Sequence, residues 1–63
     1  MTTPSLGEVL FEFHRIGNSV KVTAIHVATD TEAVTIAPAN LGEHSLKLAA
    51  LRKLSYVMAQ KRG

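Results

Sequence analysis

From Glu8 to Ile16 the chain alternates, with Val9, Phe11 and Phe13 apolar and Glu12 and His14 polar between them. A period of two marks a half-buried strand, because successive side chains leave opposite faces of a sheet. Gly17-Asn18 follows at once. A glycine at the first central position of a two-residue loop suits a type II′ hairpin, since it accepts the positive φ that a side chain resists. A second strand then runs from Ser19 to about Val27, and the loop sets its register: Ile16 faces Ser19, Phe13 faces Val22, Phe11 faces Ala24 and Val9 faces His26. The last three pairs share one face. The other face carries Leu10 opposite Ile25, Glu12 opposite Thr23 and His14 opposite Lys21, so the hydrophobic pattern agrees on both strands.

Thr29-Asp30-Thr31 has the composition of a turn, and Glu32 to Ala37 reads as a short third strand that offers Val34 and Ile36 to the core. Pro38 ends it. Asn40, with Glu43 three residues later, reads as an N-cap with its capping-box partner, so a helix is expected over residues 41–61. At about 100° per residue, Leu46, Ala50, Leu51, Leu54, Val57 and Met58 fall in one stripe, the face that should cover the sheet. Leu41 and Leu48 fall outside that stripe, near Ala59, and make a second, smaller apolar patch. The expected fold is α+β: a three-stranded antiparallel meander over residues 8–37 followed by one C-terminal amphipathic helix. Val9, Phe11, Phe13, Val20, Val22, Val34 and Ile36 are expected to face the helix. Residues 1–63 are read as one domain, with 1–7 as a disordered tail.

Length changes this picture more than composition does. A chain of 63 residues buries only ~60% of the surface it exposes when unfolded, and its core is correspondingly marginal. Cysteine is absent, so neither a disulfide nor a cysteine-based zinc site can reinforce it. Yet 46% of residues are hydrophobic and only 19% charged, which is more apolar material than one sheet and one helix can cover. Leu10, Ile16, Ile25, Val27, Leu41 and Leu48 are the residues expected to stay exposed, and they form the candidate surface of a homodimer. Such a dimer can form by pairing sheets or by exchanging the helix through Pro38-Ala39-Asn40. The N-terminal residues show neither the basic nor the apolar region of a secretory signal, and no apolar run reaches the length of a membrane span. A soluble, cytoplasmic protein without membrane contact is expected.

Charge is distributed unevenly. Before residue 44, Arg15 and Lys21 stand against Glu8, Glu12, Asp30, Glu32 and Glu43, whereas the remainder carries Lys47, Arg52, Lys53, Lys61 and Arg62 with no acidic side chain. Arg52, Lys53, Lys61 and Arg62 are therefore candidate phosphate contacts of a nucleic-acid-binding helix, with Tyr56 able to stack on a base. The same cations also oppose the helix dipole, which is their commonest role. His14, His26 and His44 match no familiar metal-ligand spacing, and His14 and His26 leave opposite sheet faces, so no metal is expected. Ser5, Ser19, Ser45 and Ser55 sit in no nucleophile elbow, and the chain has no glycine-rich phosphate loop. One sheet and one helix scarcely wall a pocket, so neither catalysis nor a cofactor is expected.

The run Glu8-Val-Leu-Phe-Glu-Phe-His-Arg-Ile-Gly-Asn-Ser-Val-Lys-Val-Thr-Ala-Ile25, together with Pro38-Ala-Asn40 and Ala50-Leu-Arg-Lys-Leu54, resembles a family of small uncharacterised proteins from alphaproteobacteria. The likeness covers residues 8 to about 60. Some relatives carry the label serine hydroxymethyltransferase, which would imply a pyridoxal-phosphate enzyme. That chemistry needs a Schiff-base lysine inside a large cofactor-binding fold, for which this chain has no room, so the label implies a mistaken transfer of name. The resemblance implies no catalytic residue. Pattern and length together point to a non-enzymatic module that associates with itself, with nucleic-acid binding by the basic helix as the alternative.

Overall fold

The computed structural model describes the backbone of residues 8–62 and the side chains of residues 8–60; the expected tail, 1–7, lies outside them. Strands β1 (Val9–Ile16), β2 (Ser19–His26) and β3 (Thr31–Pro38) form one antiparallel sheet in the order β1-β2-β3, followed by helix α1 (Glu43–Arg62). The fold is α+β with the expected order of elements.

The first hairpin has the register that its loop requires. Val9 pairs with His26, Phe11 with Ala24, Phe13 with Val22 and Ile16 with Ser19. Gly17 takes a φ of 57° while Asn18 stays out of the positive region, the pattern of a type II′ turn and not of a type I′ turn. Arg15 closes over the turn by donating from Nε to the Gly17 carbonyl at 2.8 Å.

The second connection changes the expected core. Val27 to Asp30 form a four-residue loop in which the Asp30 N–H meets the Val27 carbonyl at 3.3 Å. Asp30 itself takes a φ of 55°, a left-handed conformation that aspartate tolerates better than most side chains. This loop sets His26 opposite Thr31, and from there Ala24 faces Ala33, Val22 faces Thr35 and Val20 faces Ala37. The helix therefore meets Thr31, Ala33, Thr35 and Ala37. Val34 and Ile36, expected in the core, lie on the opposite face of the sheet and are 39% and 64% exposed. A one-residue difference in strand phase moves every side chain to the other face, and the loop decides that phase.

Helix α1 also starts later than the expected capping box implies. The Pro38 carbonyl accepts the Leu41 N–H at 3.2 Å, so Asn40 belongs to a turn. The first helical hydrogen bond runs from the Leu46 N–H to the Gly42 carbonyl at 3.0 Å. Gly42 is thus the N-cap, and Glu43 is the first helical residue and not the third. Glu43 still stands at the positive end of the helix dipole, and it pairs with Lys47 at 3.2 Å one turn on.

The core forms where the expected helix stripe meets the sheet. Val20, Val22, Ala24, Ala33, Leu46, Ala50 and Leu54 are buried together, with Val9, Phe11, Ala37, Ala39, Leu51, Val57 and Met58 packed around them. The helix packs over β3 and β2 in preference to β1. Alanines on all three elements, Ala24, Ala33 and Ala50, allow that close approach. Phe13 lies on the helix-facing side as expected, but at the β1 margin that the helix leaves uncovered, and it is 42% exposed.

Candidate interaction surface

The side of the sheet away from α1 presents four rows, read across the strands from the pairing: Leu10, Ile25 and Glu32; Glu12, Thr23 and Val34; His14, Lys21 and Ile36; Ile16, Ser19 and Pro38. Leu10, Ile16, Val34 and Ile36 are exposed and Ile25 is half-buried. These five aliphatic side chains surround the polar side chains of β1 and β2, Glu12, His14 and Lys21. Among the described residues, nothing covers them.

Of the six residues expected at a dimer surface, the structure brings together three, Leu10, Ile16 and Ile25, and adds Val34 and Ile36 from β3. Val27 follows directly on β2, exposed, with its N–H held by the Glu8 carbonyl at 3.2 Å. Leu41 and Leu48 are exposed too, but in the turn before the helix and on α1, the layer on the other side of the sheet. Val34 and Ile36 were legible in principle. Thr31, Ala33, Thr35 and Ala37 form a row of small residues suited to a closely packed helix, which leaves the bulky aliphatics for the outer face.

The two free edges of the sheet differ. On β3, the Val34 carbonyl accepts a hydrogen bond from Lys53 Nζ at 3.0 Å, so the main-chain groups of Val34, and of Glu32, Ile36 and Pro38 in phase with it, point out of the sheet. A lysine and a proline, which has no N–H, both guard that edge against pairing. On β1 a two-residue loop makes Ile16 and Ser19 the closing hydrogen-bonded pair, so Leu10, Glu12, His14 and Ile16 turn their main chain to β2. The main-chain groups of Val9, Phe11, Phe13 and Arg15 then point outward, along an eight-residue strand that among the described residues pairs with β2 alone.

Of the candidate phosphate contacts, Arg52 and Lys53 are both exposed on α1, with Lys53 held at the β3 edge, and the side chains of Lys61 and Arg62 lie outside the described residues. Lys47, a cation of the same helix, pairs with Glu43 and sits 5.7 Å above the Phe11 ring. No helix of the described residues is long and apolar enough to cross a membrane.

One polar cluster was not anticipated from the residue pattern. His26 and Thr31, both buried, meet Thr29 at the β2–β3 loop: His26 Nδ1 lies 2.7 Å from Thr29 Oγ1, which lies 2.8 Å from Thr31 Oγ1. The arrangement locks the loop whose length sets the phase of β3. Thr29→Val keeps the shape and removes the central hydroxyl, leaving His26 short of a partner, and is expected to cost about 1 kcal/mol. Urea unfolding at fixed protein concentration reads it, and an unchanged midpoint would show that the cluster does not hold the loop.

A small two-layer α+β domain with an uncovered sheet face defines the class of this protein. The family described as a domain of unknown function (DUF6898) matches residues 6–61, nearly the whole chain, and the protein belongs to that family. No curated protein and no solved structure matches it.

Proposed function

We propose that this domain is a non-enzymatic interaction module that acts by associating with itself. The observation that carries the reading is the uncovered sheet: Leu10, Ile16, Val34 and Ile36 exposed on one face around Ile25, with Phe13 exposed at the β1 margin. A chain of this size has little core from which to draw stability, and burying part of this exposed apolar surface against a second copy adds the apolar burial that one copy lacks. Closed twofold assemblies are the commonest solution for identical chains.

Sedimentation equilibrium at micromolar concentration is expected to return roughly twice the chain mass of 6.8 kDa. A monomer throughout the accessible concentration range would overturn the reading. A titration with mixed DNA and RNA at two salt concentrations distinguishes the competing use of Arg52, Lys53, Lys61 and Arg62, because phosphate binding weakens steeply as salt rises. Binding with that salt dependence by a monomeric chain would favour the basic helix instead.

A further inference from the structure

We infer that the second copy docks on strand β1, joining the two sheets edge to edge into one six-stranded antiparallel sheet with Phe13 on the twofold axis. The inference rests on the self-association proposed above and names the surface that performs it.

The first ground is the contrast between the edges. The β3 edge is closed by Lys53 on the Val34 carbonyl and by Pro38, whereas the outward main chain of Val9, Phe11, Phe13 and Arg15 meets neither device among the described residues. Natural sheets blunt the edges they do not use, and a long strand whose outward main chain is left unblunted is a pairing surface.

The second ground is that β1 is complementary to itself in one register. Two copies related by a twofold axis pair so that opposite residue numbers add to a constant, and both helices lie on the same side only when that constant is even. With Phe13 opposite its own counterpart, Glu12 falls opposite His14, Leu10 opposite Ile16 and Phe11 opposite Arg15. Each pair matches: acid with base, aliphatic with aliphatic, aromatic ring with guanidinium. Shifting the axis to Glu12 sets two carboxylates face to face, and shifting it to Phe11 sets Leu10 against Glu12. Phe13 also has the right main-chain direction, since its outward N–H and carbonyl exchange both bonds with those of its counterpart. Including its neighbours, roughly six main-chain hydrogen bonds form.

The third ground is the position of the helix. Because α1 covers β3 and β2, the margin of β1 is open on the helix side, and the half-exposed Phe13 rings of two copies meet there between the two helices. Aromatic pairs of this kind anchor interfaces.

Phe13→Pro removes an outward N–H that the single chain does not use, and a proline is tolerated on an edge strand, so the variant is expected to fold and to sediment at the chain mass. Ile25→Lys with Val34→Lys, placed on the open face away from the edge, is expected to remain at twice the chain mass. Since the chain has no cysteine of its own, disulfide trapping reads the register directly. Glu12→Cys mixed with His14→Cys should give a cross-linked dimer within the reach of a disulfide, while each variant alone cross-links several-fold less. A dimer that survives Phe13→Pro and is split by the face variants, or that fails to cross-link in the mixed sample, would overturn edge pairing while leaving self-association standing. A wild-type monomer would remove both.

Discussion

Leu54→Ala should be the most damaging single truncation in this protein, with an expected loss of about 2–5 kcal/mol. Among the described residues, Leu54 and Val22 are the largest side chains buried completely, and Leu54 sits in the row Leu46, Ala50, Leu54 that seals the helix onto the sheet. Truncating it removes apolar burial and leaves a cavity in a core whose other members include Ala24, Ala33 and Ala50, side chains too small to fill it. The total stability of small domains is of the order of 5–15 kcal/mol, so the loss is a large share of the whole. Leu48→Ala is the matched control. Leu48 is 44% exposed on the same helix, and its truncation should change the stability of the single chain by no more than about 0.5 kcal/mol. Urea unfolding at equal protein concentrations compares the two, because association adds to apparent stability. Similar losses at both positions would mean that α1 turns a different face to the sheet.

Ala33→Leu is expected to cost about 1–3 kcal/mol through overpacking, while Val34→Leu, one residue along the same strand, should be nearly neutral. The contrast tests the phase of β3. Ala33 is 3% exposed and lies in the contact with α1, beside Ala24, so three further heavy atoms have no space unless the helix lifts. Val34 points to the open face, where a larger aliphatic finds room. On hydrophobicity alone the opposite outcome would be forecast, with Val34 in the core and Ala33 outside it. Unfolding midpoints of the two variants decide between these phases, and a larger penalty at Val34 would place β3 one residue out of register.

The meander and the helix were legible because both rest on local rules. Gly17-Asn18 allows a tight loop, a two-residue loop fixes the pairing across it, and the alternation of Val9, Phe11 and Phe13 tells which face is buried. The helix stripe from Leu46 to Met58 was legible for the same reason, since 3.6-residue periodicity survives whatever the helix packs on. The start of α1 was less so. Asn40 and Glu43 have the spacing of a capping box, but Pro38 directs the chain into a turn that ends at Leu41 and leaves the cap to Gly42.

Residue order alone carries the elements, the first hairpin's register and the excess of apolar residues that makes a partner worth seeking. Which side of β3 meets the helix is settled in the packed fold, because that depends on the four-residue loop, on Asp30 in a left-handed conformation and on the His26–Thr29–Thr31 contacts that hold it. The packed fold likewise settles where α1 lies across the sheet. Small side chains on β3 admit the helix closely and bulky Phe11 and Phe13 on β1 do not, so one edge is sealed by Lys53 and the other is left open by the described residues. No local pattern carries that asymmetry, since it arises from contacts between residues that are distant along the chain.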